Sequence, residues 1–127
     1  MPGMLLVLLV TLSLYLVTMP QTITLEDAGL FQMICHKGGI GHPPGYPLFI
    51  LSCQAFVNLP VFEQDVVAGN LMSALFASAA CSVLLIVLRQ LQVTGLLSVS
   101  LALVYGLSAT FWSQAVIVEV FSLAGLL

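Results

Sequence analysis

Charged side chains are scarce in this sequence. Asp, Glu, Lys and Arg together make up 6% of its 127 residues, whereas an ordinary soluble domain contains about 25%. So few charges cannot cover a surface that faces water, particularly since 61% of the residues are hydrophobic and the mean hydropathy is +1.19. The composition therefore predicts a membrane protein in contact with a lipid bilayer.

Basic residues are rarer still, because Lys37 and Arg89 are the only two in the sequence and the net charge is −3. A nucleic-acid partner is excluded, since binding to a phosphate backbone depends on several Lys or Arg side chains. The acidic residues are too few and too scattered to predict a metal site. The sequence also contains no glycine-rich nucleotide motif, and no cofactor is predicted.

Cysteine is limited to three positions, which form neither a CxxC pair nor another metal-ligand spacing. Cys81 lies within an apolar run and is predicted to be a small core residue. Cys35 and Cys53 form a disulfide if their segment faces an oxidising compartment, and they remain thiols if it does not. The spacing alone leaves both alternatives open.

Long apolar runs dominate the rest of the sequence and predict membrane-spanning helices. The first covers residues 4–19, where a cleavable signal peptide is the alternative but lacks a basic first region and an A-x-A-like cleavage site. Residues 66–88 carry no charge and are long enough to span with some tilt, and residues 93–110 form a third predicted span. A further helix begins over residues 115–127, so we expect residues 1–127 to be the N-terminal part of one larger membrane domain.

The second predicted span has a face of small residues, which permits close packing against other helices. The members of this face are Ala68, Gly69, Ser73, Ala77 and Ala80. Asn70 in the same span is predicted to hydrogen-bond between helices rather than to bind a ligand.

The polar part of the chain is the segment 20–65, which holds four of the five carboxylates, both histidines and five of the six prolines. Two short helices are predicted inside it, over residues 25–37 and 47–58. The apolar side of the first is expected to include Leu30, Met33 and Ile34. The second, at about 12 residues, is too short to span, so we expect interfacial or re-entrant helices in this segment.

Orientation is predicted from the positive charges of the short loops. Arg89 is the only basic residue between the second and third predicted spans, which favours a cytoplasmic position for that link. The segment 20–65 then lies on the exoplasmic side. Lys37 belongs to this segment and counts against the assignment.

Four segments of the sequence resemble the opening of one family. They read TLEDAGLF at 24–31, GHPPGYPLF at 41–49, GNLMSALFA at 69–77 and FWSQAVIVEVFSL at 111–123. They are similar to the HPPGYPL-containing protein O-mannosyltransferase family of the GT-C glycosyltransferase superfamily, in the same order and over almost the whole chain. The resemblance implies an all-α, polytopic transmembrane helix bundle of the GT-C kind.

The resemblance also implies a membrane enzyme that takes a sugar, with mannose expected, from a polyprenyl-phosphate donor. The acceptor is a hydroxyl group of a protein or glycan, on the exoplasmic face of a bacterial inner membrane or the endoplasmic reticulum. The superfamily places an acidic residue just after its first helix, and this position matches Asp27, with Glu26 beside it. A carboxylate there takes the proton of the acceptor hydroxyl. The alternative is that Glu26 and Asp27 cap the helix that follows.

Two positions depart from the family pattern. Family members usually read D-S/A-G-E, whereas the fourth residue here is Leu30, so a second carboxylate is missing. Members also often carry an arginine at the position of Ala68. These departures favour a non-catalytic membrane subunit as one alternative. A transporter fragment, with Asp27 and Glu119 as ion or proton sites, is the other.

Four further residues are candidates for substrate binding. His42 is held extended by the proline after it, and it contacts the donor phosphate, orients Asp27 or contacts the backbone of a structural loop. Lys37 binds the phosphate or remains solvated, and Tyr46 is expected at interfacial depth. Glu119 is a lone carboxylate among apolar neighbours, which indicates either a functional site or a structural contact between helices.

Overall fold

The computed structural model describes residues 2–24, 27–41, 43, 45–60, 62 and 64–127. Within these residues the regular structure is helical, without any strand. The helices are, in chain order, α1 (Pro2–Thr18), α2 (Ala28–Lys37), α3 (Pro47–Val57), α4 (Asp65–Gln90), α5 (Gly95–Gly106), α6 (Ala109–Ala115) and α7 (Val120–Leu126). The predicted all-α fold class is therefore confirmed for the described part of the chain.

α4 is long enough to cross a bilayer by itself. Its 26 residues correspond to about 39 Å at 1.5 Å per residue, which exceeds the roughly 30 Å of a hydrocarbon core. α1 and α3 are apolar but shorter. Among the described helices, length and composition give one candidate span, α4, or two if the bent pair of α5 and α6 counts as one. The multi-pass topology stays a prediction.

Other helices pack closely on α4 because its inner face carries small side chains. α1, α3, α5 and α7 all contact this helix. The face is buried at Ala68, Gly69, Ser73, Ala77 and Ala80, so the close packing predicted from these residues is confirmed. Asn70 donates from Nδ2 to the carbonyl oxygen of Pro20 at 3.0 Å, and this bond holds the chain that leaves α1 against α4.

Helices α1, α4 and α5 meet at Gly106. The buried hydroxyl of Tyr15 donates to the carbonyl oxygen of Gly106 at 2.8 Å. A Cβ atom at position 106 would lie 2.8 Å from Sγ of Cys81 and 3.1 Å from both Cγ2 of Thr11 and the Tyr15 hydroxyl. Glycine therefore permits this approach, and Cys81 is a buried free thiol in the core, as predicted.

The third apolar run, predicted as a span over residues 93–110, is divided into α5 and α6. The chain bends by 66° between α5 and α6. The break follows Gly106, where α5 meets side chains of α1 and α4. Beyond it, Nε1 of Trp112 donates to Oγ1 of Thr18 at 2.9 Å, which ties α6 to the end of α1.

A second break separates α6 from α7. Residues 116–119 are not helical, so the helix predicted over residues 115–127 is shortened to α7. Three of the four residues in the break are β-branched, and such side chains lose rotamer freedom in a helix. They are Val116, Ile117 and Val118.

α2 and α3 are joined by a disulfide between Cys35 and Cys53, whose Cα atoms lie 5.4 Å apart. Of the two alternatives that the sequence leaves open, the structure contains the bonded one. The ring of Phe31 packs edge-on against that of Phe49, with centroids 5.2 Å apart. Both rings belong to one buried cluster with Met72 of α4, so the two loop helices share a core with the long helix.

The buried side of α2 differs from the expectation at one position. Met33 is 52% exposed, and its predicted place on the apolar side is wrong. The buried residues of α2 include Phe31, Gln32, Ile34 and Cys35. The disulfide and the Phe31 ring direct this side of the helix towards α3 and α4, and Met33 consequently points away.

The substitution Gly106→Ala is expected to lower the free energy of unfolding by about 1–3 kcal/mol, the usual cost of overpacking a core. The added Cβ must displace groups on both α1 and α4. Gly125→Ala is the matched control, because the nearest atom to its new Cβ would lie at 3.6 Å, an ordinary contact. Thermal unfolding in detergent measures the effect. A Gly106→Ala variant as stable as the control would contradict this packing.

Replacing Cys35 and Cys53 together by alanine is expected to destabilise the protein by about 3 kcal/mol, since the disulfide closes a loop across a sequence separation of 18. Mass spectrometry of peptides from the unreduced protein tests the pairing itself. We expect a peptide linked through Cys35 and Cys53, with Cys81 open to alkylation after unfolding. Alkylation of all three cysteines without a reductant would rule the disulfide out.

Candidate functional site

Asp27 lies directly before α2 and is exposed at the surface. Its carbonyl oxygen accepts from the backbone N–H of Phe31 at 3.0 Å, which begins the helical hydrogen-bond pattern. Its carboxylate makes no capping hydrogen bond to α2, a helix that the structure describes in full. The geometry therefore does not support the capping alternative for Asp27. Glu26, the second catalytic candidate, lies outside the described residues.

The last turn of α2 lies beside the first turn of α4. His36, near the end of α2, pairs through Nδ1 with a carboxylate oxygen of Asp65, the first residue of α4. Both side chains are largely exposed, so the pair adds little stability, but it places α2 beside the start of α4. Arg89, near the other end of α4, lies about 36 Å from Asp65 along the helix axis.

α3 begins at Pro47, within the HPPGYPL segment. Gly45 and Tyr46 have φ values of 95° and 43°, and Pro47 then occupies the first turn of the helix, where its fixed φ is favourable. Tyr46 is half-buried and packs edge-on against Phe31, with ring centroids 6.2 Å apart. Tyr46 thus lies close to α2, one turn from Asp27. His42 lies outside the described residues.

An apolar cavity of about 320 Å³ lies beside Tyr46. Its walls come from the start of α3 and from α7, and they include Pro47, Phe49, Val120 and Phe121. These side chains bring no charge to the cavity. The arrangement therefore places the Tyr46 ring at the edge of an apolar recess next to the candidate site.

Lys37 and Asp27 lie at opposite ends of α2. Lys37 is exposed at the last position of α2, and a helix of this length separates it from Asp27 by about 15 Å. The described residues contain no group of three His, Cys, Asp or Glu side chains that could hold a metal ion. The structure therefore separates Lys37 from Asp27 by nearly three turns of helix.

Glu119 is buried, with 5% of its surface exposed. It is the N-cap of α7, and its carboxylate accepts from the N–H of Val120 at 3.2 Å. Its own N–H donates to Oγ of Ser73 at 3.3 Å. The backbone of Glu119 thus joins the break before α7 to α4, while its carboxylate caps α7. Ser73 lies about 12 Å along α4 from Asp65, and Glu119 is buried whereas Asp27 is exposed.

Gln32 is a buried polar residue that the sequence reasoning missed. It belongs to the inner side of α2, and its Nε2 donates to the carbonyl oxygen of Val66 at 3.2 Å. Its amide lies against Gly69, where a Cβ atom would be 3.0 Å from Nε2 and 3.2 Å from Oε1. The signal in the sequence is an amide on the same helical side as Phe31 and Cys35. That side becomes recognisable only when the disulfide is known.

The candidate residues Asp27, Gln32, Tyr46 and Glu119 all lie within a region that matches a known family. Residues 27–127 match the family described as Protein O-mannosyl-transferase TMEM260 N-terminal domain. The chain is 31% identical over 114 residues to the mouse (Mus musculus) protein named Protein O-mannosyl-transferase TMEM260. The matched region covers 90% of this chain but only 16% of the mouse protein. No solved structure matches the chain. On the family match and this identity, the chain belongs to the family of Protein O-mannosyl-transferase TMEM260 N-terminal domains.

Proposed function

We propose that this chain is part of a multi-pass membrane glycosyltransferase, which moves mannose from a polyprenyl-phosphate donor to an acceptor hydroxyl on the exoplasmic side. The observation that carries the proposal is the exposed carboxylate of Asp27 at the start of α2, in a chain of the O-mannosyl-transferase family. No metal and no cofactor take part in the proposed reaction. The acceptor is a hydroxyl group on a protein or a glycan.

Asp27 acts in this proposal as the general base. Its carboxylate takes the proton of the acceptor hydroxyl while the hydroxyl oxygen forms a bond to C1 of the sugar. The bond between C1 and the phosphate oxygen breaks, and the polyprenyl phosphate leaves with the electron pair. Surface exposure supports this role, because both the acceptor and the phosphate head group must reach the carboxylate.

Two observations support an exoplasmic position for α2, α3 and the first turn of α4. The disulfide between Cys35 and Cys53 suits an oxidising compartment, such as the lumen of the endoplasmic reticulum or the bacterial periplasm. Arg89 lies at the opposite end of α4, and positive charge favours the cytoplasmic side. Both observations support the same orientation of α4, and Lys37 is the basic residue that counts against it.

The other candidate residues are assigned to the donor. We propose that His42 and Lys37 contact its phosphate and that Glu26 assists Asp27. Tyr46 stands at the edge of the apolar cavity of about 320 Å³, which suits the first part of the polyprenyl chain. The role of Glu119 in this proposal is to hold the break before α7 in place, next to Val120 in the wall of the cavity.

A non-catalytic membrane subunit is the second candidate function. Leu30 occupies the position at which the O-mannosyltransferase family has its second carboxylate, and this apolar side chain packs against the buried cluster of α2 and α3. A transporter fragment has less support. That function requires acidic side chains at mid-membrane depth, whereas Asp27 follows the first apolar helix and is exposed directly before α2.

The substitution Asp27→Asn in the full-length protein that carries this chain tests the assignment. The amide cannot accept the proton, so we expect kcat for mannose transfer to fall by about a hundredfold or more. Asp65→Asn is the matched control, because it removes another solvent-accessible carboxylate and costs only an exposed ion pair with His36. We expect this control to stay within a few-fold of wild type. The measurement is transfer of labelled mannose from polyprenyl-phosphate mannose to an acceptor peptide.

Two results would contradict the proposal in different ways. If Asp27→Asn and Asp65→Asn transfer mannose equally well, Asp27 is not the base. If the folded wild-type protein transfers no sugar from this donor, the non-catalytic function is favoured and Leu30 becomes its structural explanation.

A further inference from the structure

A recess of about 630 Å³, here called the outer recess, opens between α5, α6 and α7. Its walls include the rings of Tyr105, Phe111 and Phe121, the methyl group of Ala124 and the side chain of Gln114. The rings of Tyr105 and Phe111 pack against each other, with centroids 4.4 Å apart. The residues described along these walls bring no charge, so the outer recess suits an uncharged partner with a largely apolar surface.

α7 has a buried side and an open side. Ser122 and Leu123 are buried, and α7 contacts α4. Phe121 and Ala124 are exposed, and their spacing of three places them on one side of the helix. These two residues line both the outer recess and the cavity beside Tyr46. The open side of α7 is therefore an apolar surface that lies between the two.

The outer recess lies at the level of the middle of α4. A Cβ atom at Gly125 would lie 4.0 Å from Cβ of Ala80 and 3.9 Å from the hydroxyl of Tyr105. Ala80 is about 22 Å along α4 from its first residue, in a helix about 39 Å long. α4 is the candidate span, and when it crosses a bilayer the hydroxyl of Tyr105 lies within the depth of the hydrocarbon core.

Gln114 adds an amide to the same region. The residue after it, Ala115, is buried in a cluster with Ala74 and Ala77 of α4, so Gln114 also lies near the middle of the long helix. Its carbonyl oxygen accepts from the hydroxyl of Ser122 at 3.2 Å. Its side-chain amide has no hydrogen-bond partner among the described residues. This amide lines the outer recess and can hydrogen-bond to a partner there.

The occupant of the outer recess must suit both its apolar walls and this amide. A lipid tail or a polyprenyl chain has neither donor nor acceptor, so it would leave the Gln114 side chain unpaired. A transmembrane helix offers an apolar surface together with polar side chains, and amides inside a membrane hydrogen-bond to other helices. The matched region is 16% of the mouse relative, so a full-length protein of that size has enough further chain to supply such a helix.

We propose that the outer recess and the open side of α7 are the docking surface for one apolar transmembrane helix, which belongs to the same full-length protein and lies outside residues 1–127. A polar side chain of that helix hydrogen-bonds the amide of Gln114, and its apolar side packs on the rings of Phe111 and Phe121. The inference goes beyond the proposed function, because it concerns the assembly of the membrane domain and does not require sugar transfer.

Phe121→p-benzoylphenylalanine in the full-length protein, in its native membrane, is the main test. On illumination the photoreactive side chain bonds covalently to neighbouring C–H groups. We expect a link to one apolar segment outside residues 1–127 of the same polypeptide, located by mass spectrometry of the linked peptides. Trp112→p-benzoylphenylalanine is the control and is expected to link to α1, because the centroid of the Trp112 ring lies 6.1 Å from that of Tyr15.

Other occupants of the outer recess give different products. Attachment of position 121 to lipid alone overturns the inference, and so does a link to a second copy in a species of doubled mass. Links confined to residues 1–127 also overturn it. The same holds if position 121 forms no link while the Trp112 control reacts with α1.

Gln114→Leu in the full-length protein tests the hydrogen bond. Leucine leaves the polar side chain of the docked helix unpaired, so we expect the melting temperature to fall by about 1–3 °C. With a lipid chain in the outer recess, leucine would instead remove an unpaired amide, and the melting temperature would stay the same or rise. Gln90→Leu, at an exposed position at the end of α4, is the control and is expected to leave it unchanged. A Gln114→Leu protein that melts at or above the wild-type temperature overturns the inference.

The proposed function and this inference fail separately. Neither measurement depends on catalysis, so a wild-type protein that transfers no mannose contradicts the proposed function alone. The links formed at position 121 then still decide whether a helix docks in the outer recess. Conversely, a link to lipid alone contradicts the docked helix and leaves the comparison of Asp27→Asn with its control unaffected.

Discussion

The close approach of other helices to α4 is the constraint on which the rest of the structure depends. Apolar side chains gain little from leaving lipid, so helix association in a bilayer relies on close packing and hydrogen bonds. Gly106 lets α5 approach α1 and α4, and Gly69 lets the Gln32 amide and Val118 lie against α4. A larger side chain at either glycine would separate helices that now touch.

The position of the candidate site follows from this packing. α2 lies beside the first turns of α4, where the disulfide joins it to α3 and His36 pairs with Asp65. With its inner side fixed in this way, α2 buries Gln32 and leaves Asp27 exposed at its start. One short helix therefore contributes both to the buried core and to the surface of the molecule.

Much of the fold could be predicted from apolar runs, because a helix that is apolar over its whole length is recognisable in the sequence as an uninterrupted run of apolar residues. α3 and α4 begin and end within two residues of their predicted bounds. The bend after Gly106 and the break over residues 116–119 were missed, since they depend on contacts with Tyr15 and other side chains far along the chain. For the site, the family resemblance indicated Asp27. Gln32 was missed because its burial depends on tertiary packing.

Sidedness of transfer tests the central claim most directly. Sealed vesicles of known orientation, carrying the full-length protein and labelled polyprenyl-phosphate mannose, would receive a membrane-impermeant acceptor peptide on one side at a time. The account predicts mannose on the peptide only when it faces the exoplasmic side, the side proposed for the disulfide and Asp27. Labelling of a peptide confined to the cytoplasmic side would contradict it.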